Sequence, residues 1–262
     1  MRRFDAEYLT HTRRGMWDES RQALSALELS GRDRVLDVGS GTGELTRVLR
    51  EETHGDVVGC DADPTLLEHA DPPVVAGDAY RLPFDDDTFE LAVCQALLIN
   101  LSEPDTVIEE FARVASDAVA VIEPDNGSVT VQSTVDAESA LARKARRHYL
   151  DGVETDATLG SSLRPLLEAV GLTSVDVSRY DHKRTVTQPY SSADLEAARR
   201  KASGRGLASD RVTMLAGGLS AADYDKLRTD WREMGRTVVE QMQNGTYERT
   251  ETVPFYVAIG RT

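Results

Sequence analysis

Val35-Leu36-Asp37-Val38-Gly39-Ser40-Gly41-Thr42-Gly43 decides the fold of this chain. A short apolar run carrying one carboxylate ends in three glycines on alternate positions. Such a run, bounded by glycine, reads as a buried strand. Behind it, Glu44 to Glu52 carries Leu45, Val48 and Leu49 at helical spacing. The glycines therefore occupy a strand-to-helix turn, where a backbone without Cβ atoms lets free amides approach a ligand. Their spacing narrows the choice. A dinucleotide fingerprint places its third glycine three residues after the second, where this chain has Glu44. Here the third glycine comes two residues after the second, and Asp37 stands two before the first. That spacing argues against a nicotinamide or flavin site.

Working outward, short apolar strands alternate with helices. Asp56 to Cys60 reads as a second strand and Pro64 to His69 as a second helix. Val74 to Ala76, Leu91 to Cys94 and Ala118 to Ile122 follow as strands, with Thr106 to Val114 helical between the last two. This alternation predicts a parallel sheet wound on both faces. After Pro124 the rhythm changes. Ala137 to Leu150 is helical and basic on one side, and Ser162 to Val170 is helical and closed by Gly171. A sixth strand is expected at Ser174 to Tyr180 and a last one at Pro254 to Gly260. Residues 189–243 between them read as wholly helical, with Ser191 or Ser192 as N-cap, and are too many for a simple connection. At the other end, residues 5–29 read as helical, with Gly15 as a breaker. The expected organisation is N-terminal lid helices at 1–32 and a core at 33–188 and 251–262. A helical cap segment at 126–165 interrupts that core, and a helical cap insertion occupies 189–250.

The composition limits the function. The chain has 262 residues, enough to bury a core without staples, with 30 basic and 45 acidic residues and a net charge of −15. That balance argues against nucleic-acid binding, which needs a basic footprint to displace counterions from phosphates. Only four of the 30 basic residues are lysines (Lys144, Lys183, Lys201, Lys226). An acid-rich, lysine-poor surface is expected of a protein hydrated in high salt, so the composition predicts a halophile. No apolar run reaches the roughly 18 residues of a membrane span, and no apolar region follows the basic start. A cytoplasmic location is expected. Cys60 and Cys94 cannot build a disulfide framework or a structural zinc site and read as buried strand residues. No metal site is expected.

Three further pieces stand in order behind the glycine turn. Val58-Gly59-Cys60-Asp61 puts a carboxylate at the end of the second strand. Gly77-Asp78-Ala79 follows the third, and then come Leu82-Pro83-Phe84 and Thr88-Phe89-Glu90. With these the chain resembles the class I S-adenosylmethionine-dependent methyltransferases, within the small-molecule group that includes the quinone-biosynthesis type. The resemblance runs through about 35–125 and returns at 159–180 and in the terminal strand. It implies a Rossmann-like, doubly wound seven-stranded α/β sheet whose last strand is antiparallel. It also implies that Asp37, Gly39, Ser40, Gly41 and Gly43 hold the methionine end of S-adenosylmethionine. Asp61, with Ala62 beside it, would take both ribose hydroxyls, since two carboxylate oxygens suit a cis-diol. Asp78 would accept from the adenine amino group, and Ala79 would offer its amide. Cys94 and Gln95 after the fourth strand, and Tyr8 and Trp17 from the lid, complete the implied cofactor contacts. Asp78 alone reads equally well as a turn-capping aspartate.

The chain also departs from that pattern. Val114 to Ala118 stands where relatives often have a Pro-Gly-Gly turn, and Ile99 and Asn100 where many carry paired histidines. Asp71-Pro72-Pro73 lies before the third strand, which is the wrong place for the amino-methylating motif of DNA enzymes. Methyl transfer from a sulfonium needs alignment and exclusion of water, and a base only when the acceptor must lose a proton. Among the five histidines, His148 is the base candidate. The expected reaction is methylation of a small-molecule acceptor, leaving S-adenosylhomocysteine. Methylation of nucleic acid or protein through the basic helix at Arg143 to Arg147, or a catalytically silent cofactor-binding protein, are the alternatives. An aminopropyl transferase is kept open by Glu123 and Asp125. The acceptor, the methylated atom and the oligomeric state are not encoded in any motif of the sequence.

Overall fold

Five strands of this chain are apolar on both faces, and that fixes where they lie. In the computed structural model, which describes residues 16–17 and 20–262, the elements run in chain order as follows. β1 (Arg34–Val38), α1 (Glu44–Glu52), β2 (Asp56–Asp61), α2 (Pro64–Leu67), β3 (Val74–Ala76), β4 (Phe89–Gln95), α3 (Pro104–Val114) and β5 (Ala115–Pro124) come first. Then come β6 (Thr130–Ser133), α4 (Asp136–Asp151), α5 (Leu163–Ala169) and β7 (Thr173–Val186). α6 (Ser192–Ser203), α7 (Arg205–Ser209), α8 (Arg211–Ala216), α9 (Ala221–Gln243) and β8 (Arg249–Arg261) close the chain.

The chain divides into two compact units. Unit 1 is Met1–Asp125, Thr158–Tyr180 and Phe255–Thr262, and unit 2 is Asn126–Ala157 and Asp181–Pro254. The strand order is β3-β2-β1-β4-β5-β8-β6, with β7 also paired to β8. β1 to β5 pair in parallel, and β8 runs antiparallel to β5 through Phe255–Arg261 and to β6 through Arg249–Thr252. The mostly parallel sheet with an antiparallel closing strand is as expected, but it has eight strands rather than seven. β6 is the addition. Its sequence, Thr-Val-Gln-Ser, is polar and only half buried, so no apolar run announces it. β7 and β8 are longer than expected because their outer halves carry charged residues that mask the strand pattern. Residues 181–188 and 251–254, expected in the core, accordingly fall in unit 2.

Unit 1 is held by Leu36, Val38, Ala92, Cys94, Val119 and Val121 of the central strands against Val107, Ile108 and Phe111 of α3. Each fully buried Val, Leu or Ile contributes about 1.5–3 kcal/mol of transfer free energy before entropy is charged against it. The pieces at 82–90 prove to be scaffolding. Arg113 on α3 donates to the carbonyls of Leu82 and Phe84 and to Asp86, while Glu110 accepts from the Leu82 amide at 2.7 Å. Glu90 accepts from the Asp33 amide at 2.6 Å, which ties the start of β4 to the start of β1.

Unit 2 packs helix on helix. Val135, Ala198, Met234, Val238 and Met242 form one apolar cluster, and Ala145, Leu207, Met214, Tyr224 and Leu227 a second. Ser191 caps α6 in a reciprocal capping box with Asp194, as the sequence suggested. Gly235 allows α9 and α6 to touch backbone to backbone. A Cβ there would lie 2.3 Å from the Ala202 nitrogen. Among the described residues, no helix is long and apolar enough to cross a membrane. The expected N-terminal helix appears over its last part as 3-10 turns, Arg21–Leu27 and Leu29–Gly31, and its beginning lies outside the described residues.

Candidate functional site

The parallel register sets the ends of β1, β2 and β4 side by side, because Val38 pairs with both Cys60 and Cys94. Whatever follows these three strands meets at one edge. After β1 comes the glycine turn, whose Gly39, Gly41 and Gly43 all have positive φ (70°, 55° and 84°). A residue with a Cβ pays roughly 1–2 kcal/mol to adopt that conformation. The turn is clamped to β2, for the Gly39 and Ser40 amides both donate to the Cys60 carbonyl, at 2.7 and 3.1 Å. Gly39→Ala should therefore lower stability by about 1–2 kcal/mol, read from the urea midpoint at unchanged m. The added Cβ would also press on the flexible end of Leu97, 2.9 Å away.

Asp61, the last residue of β2, stands at this edge beside the glycine turn. Its Oδ2 accepts from the Gly41 amide at 2.8 Å and its Oδ1 from the Asp63 amide at 2.9 Å. Each oxygen still has a second lone pair. The β3 end is tied in by the Gly77 amide, which donates to the Asp61 carbonyl at 3.0 Å. Asp78 follows directly and accepts from the Tyr80 amide at 3.0 Å, so it does cap its own turn. Asp37 is almost wholly buried and accepts from Thr46 Oγ1 at 2.6 Å, which locks the end of β1 to α1. The charges of Asp61, Asp37 and Asp78 all act on Cys60. Its thiol is pushed up to about 12, first by burial and then by those charges. Ala62 is exposed beside Asp61, and Ala79 is buried in the core of unit 1.

The loop after β4 is more constrained than the sequence suggested. Ala96 is forced to a φ of 50°. Glu123, fully buried at the end of β5, accepts from the Leu97 and Leu98 amides at 3.0 and 2.8 Å and holds the loop in that shape. Glu123 thus fixes the backbone of this loop through its Oε1. Burial drives the Cys94 thiol well up, and its sulfur faces Glu123 inside the core, so only backbone atoms of Cys94 can serve a ligand. Gln95 ends β4 with its side chain fixed. Trp17 Nε1 donates to its Oε1 at 3.3 Å, and its Nε2 donates to Met16 Sδ at 2.8 Å. Trp17 also lies against Tyr180 (centroids 5.4 Å apart), which stacks on Phe255 at 5.5 Å.

The structure thus gathers Asp37, Gly39, Ser40, Gly41, Gly43, Asp61, Asp78, Gln95 and Trp17 within unit 1. His148 does not belong to that unit. It lies half buried on α4 of unit 2. Tyr8 lies outside the described residues. Thr46 and Tyr180 were given no role by the sequence, and Glu123 stood there only as a residue that keeps an aminopropyl transferase open. Thr46 and Glu123 act through hydrogen bonds between residues 9 and 26 positions apart or nearly so, which no local motif encodes. Tyr180 carries a buried hydroxyl with no partner among the described residues, and burial drives it well above its ordinary pKa. Among the described residues, no group of His, Cys, Asp and Glu could hold a metal ion.

A doubly wound parallel sheet, closed by an antiparallel strand and carrying an Asp-x-Gly-x-Gly-x-Gly turn on its central strand, defines an α/β fold whose ligand crevice lies at the strand ends. Residues 36–122, from β1 into β5, match the family described as "Methyltransferase domain". A malonyl-[acyl-carrier protein] O-methyltransferase of Halorhodospira halophila is 28% identical over 200 residues, covering 64% of this chain and 67% of the relative. A demethylmenaquinone methyltransferase of Corynebacterium kroppenstedtii is 34% identical over 111 residues, covering 40% of this chain, so the match spans about half (48%) of that relative. Among solved structures, the YcgJ protein of Bacillus subtilis superposes with a TM-score of 0.52 at 16% identity, covering 92% of this chain and 98% of that one. A Bacillus halodurans protein gives 0.53 at 14% identity over 93% and 98%. At such identities these two speak for the fold alone.

Proposed function

We propose that the protein transfers a methyl group from S-adenosylmethionine to a small-molecule acceptor and releases S-adenosylhomocysteine. The observation that carries this reading is the Asp61 carboxylate, fixed by the Gly41 and Asp63 amides beside the positive-φ glycine turn. A carboxylate already oriented by two backbone donors, with lone pairs to spare, is a ready acceptor for a cis-diol. The glycine turn would receive the methionine end and Asp78 the adenine amino group. Thr42 Oγ1, buried without a partner among the described residues, supplies a further polar atom at the turn. Bound S-adenosylmethionine supplies an activated methyl group, so the chain's own residues need only hold, align and exclude water. Trp17 and Gln95, locked together at the end of β4, would serve that alignment. A base is needed only where the acceptor must lose a proton, and His148 of α4 stays the candidate for that role. The net charge of −15 supports a small acceptor over nucleic acid, and two buried, free cysteines support a reducing, cytoplasmic compartment.

Calorimetric titration of S-adenosylhomocysteine and of NAD into the full chain tests the cofactor. S-adenosylhomocysteine should bind and NAD should not; the reverse, or no binding of either, defeats the proposal. Incubating the enzyme and S-adenosylmethionine with dialysed fractions tests the acceptor. S-adenosylhomocysteine should form with the small-molecule fraction, whereas formation only with the protein or nucleic-acid fraction would assign the alternative.

A further inference from the structure

Three aromatic rings in unit 1 carry a polar atom that the cofactor reading leaves unused. Tyr180 of β7 touches both Trp17 and Phe255, with ring centroids 5.4 and 5.5 Å away. The Trp17 ring is held by its 3.3 Å hydrogen bond to Gln95, the last residue of β4. Phe255 stands in register with Pro124, the last residue of β5. The rings therefore gather at the ends of β4 and β5. The cofactor reading draws on the ends of β1, β2 and β3, through the glycine turn, Asp61 and Asp78. In the strand order β3-β2-β1-β4-β5, the aromatic rings stand next along the same edge. That edge is where an open α/β sheet takes its ligands.

The Tyr180 hydroxyl is buried and has no hydrogen-bond partner among the described residues. A buried tyrosine hydroxyl ordinarily finds one, and leaving it unmet is destabilising. Packing does not account for it. Phenylalanine would make the same ring contacts with Trp17 and Phe255 and would leave no polar atom stranded. A destabilising oxygen is expected where a ligand supplies the missing partner. The surroundings define that ligand. Trp17 and Phe255 are both buried and aromatic, so they offer apolar faces. The hydroxyl stays neutral, because burial drives its pKa well up, and it can both donate and accept. An ionised ligand group would meet no counter-charge in these three side chains and would be costly to bury there.

We infer that Tyr180 selects the methyl acceptor, its hydroxyl pairing with an uncharged hydroxyl or carbonyl group of a molecule whose apolar face lies against the Trp17 and Phe255 rings. This rests on the methyl-transfer reading and adds to it the chemical class of the acceptor. Held protonated, the hydroxyl positions the acceptor and removes no proton from it. A rotamer change at one of the rings, of a kind common on binding, opens the hydroxyl to the incoming group.

Titrating the full chain with phenol, toluene and phenyltrimethylammonium, with and without S-adenosylhomocysteine and followed by saturation-transfer NMR, tests the inference. Phenol and toluene share a ring and differ in the hydroxyl, so their ratio isolates the hydrogen bond. Wild type should bind phenol about fivefold more tightly than toluene, and Tyr180→Phe should lose that preference. Toluene binding as well as phenol to wild type overturns the inference, as does an undiminished preference in the variant. Tighter binding of phenyltrimethylammonium than of phenol would assign the rings to a cation and overturns it too. Thermal unfolding gives a second readout of opposite sign. Tyr180→Phe should raise Tm by about 2 °C or more, because it removes an unmet hydroxyl. A lower Tm would mean that the hydroxyl is satisfied within the fold, against the inference. S-adenosylhomocysteine affinity should be the same in both proteins. A wild type that binds S-adenosylhomocysteine without preferring phenol defeats this inference alone, and one that prefers phenol without binding S-adenosylhomocysteine defeats the cofactor reading.

Discussion

Glu138→Ala is expected to destabilise the protein by about 3–5 kcal/mol, because it strands two buried cations. Lys201 and Arg249 both direct their charge at this carboxylate, and Tyr247 and Ser133 donate to it. Replacing a whole buried ion pair by apolar groups can be neutral, but removing one partner leaves the other uncompensated. Burial pushes the Glu138 pKa up, yet Lys201, Ser133 and Arg249 together hold it below the usual carboxylate range. A folded pKa below the unfolded one adds stability that is complete above the ordinary carboxylate range. That stability is lost as the pH falls through the folded value. The gap in urea midpoint between wild type and Glu138→Ala should therefore be widest near neutrality and narrow on acidification. Glu138→Gln, which keeps an acceptor for Tyr247, should fall between the two. A loss below about 1 kcal/mol at neutral pH would mean that water, and not Glu138, neutralises Lys201.

None of that network was legible in the sequence, for a physical reason. Its members are single polar or charged residues on two helices, on β6 and β8 and in the loop before β8, with partners up to 63 and 109 positions apart, and only tertiary packing brings them together. The opposite holds for β1, β2, β4 and β5. Strands covered on both faces must be apolar throughout, so each appeared as a short unbroken run with a recognisable end. β6 and the outer half of β7 have one or both faces polar and produced no such run. The site divides the same way. Asp61 and the glycine turn lie at strand ends, where sequence order becomes spatial order through the parallel register. Glu123 also ends a strand, but its neighbours Pro124 and Asp125 gave no sign that it would turn inward onto the Leu97 and Leu98 amides. Asp78 allowed two readings, and the structure shows the first of them, with one of its oxygens capping the turn.

Asp61→Ala should weaken S-adenosylhomocysteine binding by about 10- to 150-fold, equivalent to about 1.5–3 kcal/mol. Two effects act in the same direction. The substitution removes the acceptors for a diol, and it frees the Gly41 and Asp63 amides that the carboxylate now fixes. The second effect alone would loosen a turn of three positive-φ glycines and lower the preorganisation of the site. Asp61→Asn separates the two. The amide keeps one carbonyl oxygen to accept from a backbone donor but loses the charge and one acceptor. If ligand hydrogen bonding dominates, Asp61→Asn should lose nearly as much affinity as Asp61→Ala while its urea midpoint stays near wild type. If turn fixation dominates, Asp61→Asn should retain most of the affinity, with only Asp61→Ala showing both losses. Affinity equal to wild type in both variants would remove Asp61 from the ribose site and with it the observation on which the proposed function rests.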